Sequence, residues 1–585
     1  MKGFFKIVLA TFFALILFTV IGIFIFIGLI SSASMTDKPI VGSRAVLVLN
    51  LEKEFREQHE DNLFTSLMDE TDEDVPALYE IIRLINHARS DSAVKGIYVQ
   101  CATNANGYAA SEEIRKALID FKKSGKFVVA HGEVISQKGY YVGSAADAVY
   151  CNPQGGVEWT GLSTSLYFLK GTLDKLEIQP QIFYAGKFKS ATEPLRETKM
   201  TDANKLQTGV WLGELYNNLL KVTAASRKKD TAYLRNLAST GAVLTANDAL
   251  QYGLVDGLKY DDEIKAILLK KLQQGGKESI NFVSLGNYKA AADYKKSGSS
   301  KIALVYANGS IVSGEGDNEQ IGSDQFRNLL RKIRLDKEVE AVVFRVNSPG
   351  GSALASEVIW REISLLRKEK PVVVSMGDVA ASGGYYIACN ADSVFANANT
   401  ITGSIGVFTV IPNMQSFFKN KLGVTFDGVK TAPYADMGGV DRALTEPEKR
   451  FVQASVDTIY HVFKTRVSGG RRMKMDQVDS LAQGRVWTGA HAQTNQLVDR
   501  IGTLQDAVES AARMAKIGND YRLKEYPEKK TLLEQLMSSY KKTISEKLIG
   551  DQFSLEEVRI LKEMKQIKAM NGVPQAKLPF TLAVH

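Results

Sequence analysis

Cysteine and histidine are scarce in this chain of 585 residues, and their scarcity excludes several kinds of site. The three cysteines, Cys101, Cys151 and Cys389, are odd in number, far apart and without metal-ligand spacing, so neither a disulfide framework nor a zinc site is expected. Six histidines leave few candidates for histidine-based catalysis. The phosphate-binding lysine loop and the paired-histidine metalloprotease motif are both absent from the sequence. We therefore expect no metal, nucleotide or other cofactor.

A strong excess of charge of one sign is also lacking. Lysine and arginine total 73 against 65 acidic residues, and the formal net charge of +8 is small for this length. The basic residues are not clustered, which argues against a nucleic-acid partner, whereas a mildly positive protein suits a location near anionic lipid. The 45% apolar and 24% charged fractions are typical of globular proteins, and the length predicts at least two cores.

The amino terminus carries the one long apolar run. Residues 7–30 contain only two polar side chains, both threonine, and a helix of this length spans a hydrocarbon core of roughly 30 Å. Lys2 and Lys6 precede the run, which predicts a cytoplasmic amino end. A cleavable signal peptide is the alternative, since residues 31–34 are small, but its apolar region would be only about 7–15 residues long. We expect a single-pass transmembrane anchor, with the rest of the chain on the far side of the membrane.

The sequence contains an internal duplication. Ala110-Ser111-Glu112 recurs 245 residues later as Ala355-Ser356-Glu357. Leu254-Val255-Asp256 recurs 243 residues later as Leu497-Val498-Asp499. In each copy short β-branched strands alternate with helical stretches, which favours βαβ units and a mostly parallel sheet. The chain is therefore expected to be an α/β protein with two tandem copies of one domain.

These patterns predict five parts in chain order. They are a cytoplasmic end with the anchor (1–34), a first domain (45–272), a linker rich in glycine, serine and lysine (273–300), a second domain (301–523) and a charged, partly helical tail (524–585). Apolar residues of the tail fall on one helical face, which favours packing against this protein or a neighbouring subunit over a membrane surface. They are Leu532, Leu533, Leu536, Met537, Tyr540, Ile544 and Leu548.

Two glycine-rich turns of the second domain have the composition of a catalytic site. The loop 347–351 (Asn-Ser-Pro-Gly-Gly) and the turn 381–386 (Ala-Ser-Gly-Gly-Tyr-Tyr) each lie between a strand and a helix. Ser382 can project its hydroxyl from such a turn, while Gly351 and Gly383 can present bare backbone N–H groups to an oxyanion. Turns of this kind are often only structural. The first copy argues otherwise, because it has the scaffold but neither the serine nor the glycine pair.

A serine nucleophile needs a base, and the best candidate lies in the first copy. No histidine is close to Ser382 in sequence, whereas Lys189 falls opposite Thr431 in the duplication. The first copy thus has the lysine without the serine, and the second copy has the reverse. Most lysines are solvated surface residues. Lys189 can act as a base only if burial between the domains lowers its pKa toward neutrality.

Four motifs together resemble the signal peptide peptidase A family, also called protease IV, in its long duplicated bacterial form. They are the loop 347–351, the turn 381–386, the segment 402–407 (Thr-Gly-Ser-Ile-Gly-Val) and Lys-Ser-Ala-Thr-Glu-Pro at 189–194. The resemblance covers roughly residues 1–525. It implies two Clp-protease/crotonase-like domains after a transmembrane helix and a homotetramer. It also implies a place in the bacterial inner membrane with the catalytic domains on the periplasmic side.

The resemblance also implies an activity and residue roles. The activity is endopeptidase cleavage of signal peptides left in the membrane and of other apolar peptides. Ser382 is implied as nucleophile, Lys189 as general base, Ser404 as a support that holds the lysine, and Gly351 and Gly383 as the oxyanion hole.

Three other functions are weighed against this one. A crotonase-type acyl-CoA enzyme uses similar N–H donors but has no reason for an anchor or for a split serine and lysine. A membrane-tethered scaffold would show no reactivity at Ser382. A histidine-based hydrolase would use His461 or His491, and a pH profile with mutation would distinguish it from a lysine base.

Overall fold

The computed structural model describes most of the chain, namely residues 2–33, 39–58, 75–275, 279–317, 319–528 and 572–578. Within these residues it shows a mixed α/β protein with two similar halves, as predicted from the duplication. The amino-terminal helix is α1 (Lys2–Ala33), which contains the predicted anchor. Of the helical residues whose side chains are described, no stretch is both long enough and apolar enough to cross a membrane.

The first domain is built on a parallel sheet. Its strands are β1 (Ala45–Asn50), β2 (Val94–Gln100), β3 (Phe127–Ile135), β4 (Ala148–Val157), β5 (Gln179–Ala185), β6 (Gly257–Leu258) and β7 (Phe282–Ser284). Six of them form the sheet in the order β6-β4-β3-β2-β1-β7 among the described residues, and each neighbouring pair is parallel. The central strands are buried along most of their length and nearly continuously apolar, the pattern of a sheet covered on both faces.

Ten helices of the first domain accompany these strands in the part of the chain that is described. They are α2 (Leu78–Ala88), α3 (Tyr108–Lys122), α4 (Gln137–Gly143), α5 (Lys170–Lys175), α6 (Glu193–Arg196), α7 (Asp202–Arg227), α8 (Thr231–Ser239), α9 (Ala246–Gln251), α10 (Asp261–Lys271) and α11 (Leu285–Ala291). A short 3-10 helix, Ser190–Thr192, lies just before α6.

The second domain repeats this plan. Its strands are β8 (Ser300–Asn308), β9 (Ser310–Val312), β10 (Gln320–Gly322), β11 (Val339–Ser348), β12 (Gly350–Ser352), β13 (Val372–Ala381), β14 (Ser393–Ala396), β15 (Ile401–Gly403), β16 (Val407–Asn413), β17 (Val486–Thr488), β18 (Arg500–Ile501) and β19 (Tyr521–Tyr526). Its helices are α12 (Ser323–Leu335), α13 (Ala353–Leu366), α14 (Gly383–Ala388), α15 (Glu446–Arg471), α16 (Met475–Leu481), α17 (Gly489–Thr494) and α18 (Leu504–Met514), with a π-helix at Phe417–Leu422.

Two sheets organise this half of the molecule within the described residues. The larger runs β17-β15-β13-β11-β8-β19, and β14 also pairs with β13 while β18 pairs with β14. It is parallel except at β17. The smaller runs β10-β9-β12-β20-β16-β5, where β20 (Gln575–Lys577) comes from the tail. Strand β5 of the first domain pairs antiparallel with β16 of the second, with Ala185 opposite Val407. The two halves therefore share one sheet.

Matching hydrogen bonds confirm the duplication. Tyr140 Oη donates to the Leu254 carbonyl at 2.5 Å in the first domain, and Tyr385 Oη donates to the Leu497 carbonyl at 2.8 Å in the second. Each tyrosine lies on the short helix that follows the third strand of its own parallel series. Two copies of one domain with the same internal contacts are what the nearly constant sequence offset of 243–245 residues predicts.

The predicted linker is wrong in part. Residues 282–284 form β7, which pairs with β1, and residues 285–291 form α11, whose Tyr288 is fully buried and hydrogen-bonded to Asp91. These residues belong to the first domain, because β7 pairs with β1 at the edge of the sheet and α11 packs against β1. The second domain also extends to Tyr526, a little beyond the predicted boundary at 523. The predicted helical face of the tail, residues 532–548, lies outside the described residues.

A buried ion cluster ties the domains together. Arg345 on β11 lies 2.9 Å from a carboxylate oxygen of Glu57 and 2.9 Å from one of Glu113, and both glutamates belong to the first domain. Its guanidinium also donates to Ser375 Oγ at 2.9 Å. The Arg345 side chain is 1% exposed. Burial raises the pKa of Glu57, although the arginine opposes that shift. If one member is lost, a charge remains buried without its partner.

We predict that Arg345→Met lowers the free energy of unfolding by about 3–5 kcal/mol, since it leaves two carboxylates buried and unpaired. Urea-induced unfolding of the purified protein measures the change. The control is Arg327→Met, which removes an ion pair with Asp324 on the surface of α12 and is expected to cost less than about 1 kcal/mol. Equal effects of the two variants would show that the cluster does not hold the domains together.

Candidate active site

Ser382 lies at the turn between β13 and α14, where the sequence predicts a nucleophile. Its backbone has φ 54° and ψ −113°, a conformation that residues with a side chain rarely adopt and that is held by neighbouring structure. The Ser382 N–H donates to the Gly403 carbonyl at 2.8 Å, and its carbonyl accepts from Tyr386 N–H at 2.8 Å. The residue is 0% exposed. These contacts fix the hydroxyl at the carboxyl end of a central strand.

Lys189 reaches the same point from the first domain. It follows β5 and precedes the 3-10 helix 190–192. Because β5 pairs with β16, the loop after β5 lies beside the segment that precedes β16, which contains Ser404. The Phe188 N–H also donates to the Gln483 carbonyl of the second domain at 2.7 Å. Lys189 is 1% exposed.

The structure brings together the predicted serine, lysine and supporting serine. Lys189 Nζ lies 2.9 Å from Ser382 Oγ and 3.1 Å from Ser404 Oγ, and it donates to the Ser404 carbonyl at 3.2 Å. These partners are hydroxyls and a carbonyl, none of which carries a charge. Burial lowers the pKa of Lys189 to about 7, since desolvation disfavours the ammonium form. A neutral amine close to a serine hydroxyl can accept its proton.

Two glycines make room for the lysine, and sequence reasoning assigned a role to neither. A Cβ on Gly406 would lie 3.1 Å from Lys189 Cδ. A Cβ on Gly484 would lie 2.6 Å from the Lys189 backbone nitrogen, and its φ of +73° also favours glycine. Gly406 belongs to the motif 402–407, so a signal for it was present. Gly484 comes from a distant turn, and no local pattern marks it.

Gln207 on α7 also positions the lysine loop and was missed. Its Nε2 donates to the Phe188 carbonyl at 3.0 Å and to Ser190 Oγ at 3.0 Å, on either side of Lys189. Its Oε1 accepts from Val486 N–H of the second domain at 3.3 Å. This glutamine therefore links the loop to the other domain. A single buried glutamine in a long helix gives no sequence signal.

The glycine loop lies directly against the nucleophile turn. Gly350 has φ +95°, and a Cβ there would lie 2.7 Å from Gly383 N and 2.0 Å from the carbonyl oxygen of Ala576 in β20. A Cβ on Gly383 would lie 2.9 Å from the same oxygen. Gly351 is paired with Ala576 in the sheet. The two glycines of the predicted oxyanion hole, Gly351 and Gly383, thus border one carbonyl oxygen.

The residue of the first domain that corresponds to Ser382 makes structural hydrogen bonds. Gln137 occupies the place of Ser382, and its Oε1 accepts from the N–H groups of Thr160 and Gly161 at 3.1 and 2.9 Å. Its Nε2 donates to the Gly161 carbonyl at 2.7 Å. These bonds tie the Gln137 side chain to residues 160–161, whereas the Ser382 side chain contacts Lys189.

Neither histidine of the second domain takes part in this cluster. His491 Nε2 lies 2.6 Å from Glu214 Oε1, and His461 is exposed on α15. Ser382 has its side-chain contact with Lys189 instead. The geometry therefore favours the lysine over a histidine as partner of the serine.

Comparisons with known proteins show the family to which the chain belongs. The sequence model of peptidase family S49 matches residues 120–274 and 364–518, once in each domain. Protease 4 of Salmonella typhi is 37% identical over 79% of this chain and 76% of its own length. Protease 4 of Haemophilus influenzae is 36% identical, over 87% and 86%. The chloroplastic serine protease SPPA of Arabidopsis thaliana is 34% identical, over 74% and 64%. The chain belongs to peptidase family S49 and is a serine peptidase of the signal peptide peptidase type.

Proposed function

We propose that this protein is a membrane-anchored serine endopeptidase that uses a Ser382–Lys189 dyad to degrade cleaved signal peptides and other apolar peptides. The observation that carries the proposal is the 2.9 Å contact between Lys189 Nζ and Ser382 Oγ, buried where the two domains meet. The lysine environment contains uncharged oxygen partners, and its pKa is lowered to about 7 by burial. Such a lysine is neutral in a large fraction of molecules near pH 7.

The proposed mechanism is acyl transfer. Neutral Lys189 takes the Ser382 proton as Oγ attacks the peptide carbonyl carbon, and Gly351 and Gly383 N–H groups stabilise the oxyanion. The Lys189 ammonium then protonates the leaving amine, which releases the first product. The same amine activates a water that hydrolyses the ester. Ser404 orients Lys189 through both its hydroxyl and its carbonyl.

The strands beside this dyad are arranged to bind an extended peptide. Strands β12 and β16 are separated in the smaller sheet by the width of one strand, which β20 fills. A peptide bound there is held by backbone hydrogen bonds, a mode that tolerates many sequences. This tolerance is useful to an enzyme that clears varied signal peptides.

The anchor and the assembly belong to the same proposal. The apolar run 7–30, with Lys2 and Lys6 before it, supports a single-pass anchor with the catalytic domains on the periplasmic side of a bacterial inner membrane. The Clp-protease/crotonase-like fold and the homotetramer are supported by the motifs shared with the signal peptide peptidase A family.

We predict that Ser382→Ala and Lys189→Met each lower kcat/KM on a fluorogenic apolar peptide by at least about 10³-fold, because both groups act as one unit. The assay uses full-length protein in detergent. Lys189→Met is expected to unfold at no lower temperature than wild type, since it removes a desolvated amine. The control is Lys187→Met, two residues away and exposed, which keeps wild-type activity. Retention of activity in Lys189→Met would place the base elsewhere.

The pH dependence of kcat/KM gives an independent test. The base must be unprotonated, so kcat/KM is expected to rise with pH through an apparent pKa of about 7 and to level off above it. Below that pKa the rate should fall tenfold per pH unit. A rate that stays constant from pH 5 to pH 9 would contradict a lysine base in this environment.

A further inference from the structure

A turn of the second domain, between α16 and β17, binds both chain segments that meet at the dyad. Its Gln483 carbonyl accepts a hydrogen bond at 2.7 Å from the N–H of Phe188, the residue before Lys189. Two residues later, the Arg485 carbonyl accepts one at 2.7 Å from the N–H of Ser404, whose side chain contacts the lysine amine. This turn therefore sets the lysine loop against the serine that supports its amine.

The side chain of Arg485 contacts one aromatic ring from each domain. Its guanidinium carbon lies 5.3 Å from the centre of the Phe188 ring and 4.4 Å from that of the Trp487 ring. Within the part of the chain that the structure describes, this guanidinium has neither a hydrogen-bond partner nor an ion-pair partner. A cation over the face of a ring is attracted to its π electrons, and arginine makes such contacts more often than lysine. The charge of Arg485 therefore interacts with these two rings.

The Trp487 ring gives this arginine a fixed support. Trp487 is 9% exposed, and its Nε1 donates to the Leu481 carbonyl at 3.0 Å. A Cβ on Gly403 would lie 2.7 Å from Trp487 Cδ1, so the ring packs directly against Gly403. The Gly403 carbonyl accepts the hydrogen bond from Ser382 N–H. A continuous series of contacts thus runs from the nucleophile turn to the Phe188 ring.

Phe188 is the less restrained of the two rings. It is partly buried, whereas Lys189 beside it is 1% exposed. Lys187 Nζ also lies 5.9 Å from the centre of the Phe188 ring, but this lysine is exposed to solvent. A hydrated ammonium binds a ring less strongly than a weakly hydrated, planar guanidinium does. Arg485 is therefore the stronger of the two cations that hold the ring.

We propose that Arg485 is a positioning residue for the general base, which holds the Phe188 ring in place and thereby keeps Lys189 against Ser382. The proposal rests on the proposed function, since it assumes that Lys189 is the base. A peptide bond joins Phe188 to Lys189, so a ring that moves displaces the lysine. Without the guanidinium the loop loosens, the amine moves away from Ser382 Oγ and water reaches it.

Hydration of the amine changes the pH profile of the enzyme. Burial lowers the pKa of Lys189 to about 7. Water stabilises the ammonium form, so a looser loop raises this pKa toward the ordinary value of about 10.4. A smaller fraction of the amine is then neutral at pH 7, and a higher pH restores it. Loss of positioning therefore alters kcat and the pH profile, whereas loss of a substrate contact alters KM.

Two other titratable side chains lie beside this series of contacts. The His491 ring packs edge-on against Trp487 with centres 6.1 Å apart, and its Nε2 lies 2.6 Å from Glu214 Oε1. The variant His491→Phe keeps a ring at this place and removes the titrating group. It is expected to keep the wild-type pH profile, because the proposal assigns the titration to Lys189.

The test measures kcat, KM and the pH profile of full-length variants in detergent on a fluorogenic apolar peptide. Arg485→Met is expected to lower kcat at pH 7 by at least about fivefold and to raise the apparent pKa of kcat/KM by about one unit, with KM changed by less than about twofold. Arg485→Lys should recover part of the loss, since it restores a cation but not a planar one. Phe188→Leu, which keeps the arginine charge and removes the ring, should reproduce the change seen in Arg485→Met.

A double variant and a matched control complete the experiment. Arg485→Met combined with Phe188→Leu is expected to be no more impaired than either single variant, since both remove one contact. Arg235→Met removes a similar contact, 5.2 Å from the centre of the Tyr216 ring on the surface of the first domain, and should keep wild-type kinetics. Thermal unfolding checks that each variant is folded. If Arg485→Met does not fold, Phe188→Leu decides by the same measurements.

Three results would overturn the proposal and leave the proposed function standing. They are wild-type kcat and pH profile in Arg485→Met, a raised KM at unchanged kcat in that variant, and wild-type behaviour of Phe188→Leu. The second would assign the guanidinium to substrate binding, and the third would assign its effect to charge alone. If wild type cleaves no peptide, or cleaves it at a constant rate from pH 5 to pH 9, the proposed function fails and this inference fails with it.

Discussion

The structure depends on one constraint, which is that the amine of Lys189 must be buried without a carboxylate partner. A lysine in water is protonated near pH 7, whereas burial lowers the pKa of Lys189 to about 7. The surroundings meet this constraint by steric and polar means. Gly406 and Gly484 leave space for the lysine, and the Ser404 hydroxyl and carbonyl satisfy its hydrogen bonds without adding charge. The native state is less stable with such a residue, which the proposed mechanism requires as its base.

Under the proposed mechanism, this constraint explains why the enzyme needs both copies of its domain. Neither half alone could shield Lys189 from water, because its loop comes from the first domain and the contacting serines from the second. The pairing of β5 with β16 sets the position of that loop, and the Arg345 ion cluster fixes the domains against each other. The corresponding turn of the first domain has a structural role instead. Gln137 now closes it with three hydrogen bonds.

The sequence was most informative where two copies could be compared. The α/β class, the duplication and the meeting of Ser382 with Lys189 followed from repeated patterns, complementary losses and a family resemblance. Strand β7 was missed because three residues at a sheet edge show no periodicity, and its pairing with β1 decides its conformation. Gly484 and Gln207 act through contacts between distant segments, which leave no local pattern. The tail strand was missed for the same reason, and two of its three residues, Ala576 and Lys577, also belong to types of low strand preference.

Under the proposed function, the position of the tail strand suggests how the groove would select substrates with few side-chain contacts. Two flanking strands supply backbone hydrogen bonds to any extended segment, so they fix its register without reading most of its sequence. The groove would then select a peptide sequence mainly at the residue whose carbonyl oxygen lies beside Gly351 and Gly383. The Ala576 carbonyl oxygen lies so close to Gly350 and Gly383 that a Cβ on either glycine would clash with it. The methyl group of Ala576 is completely buried. Under the proposed function, a small residue at that position and an extended backbone around it are therefore the two properties that the site would demand of a peptide.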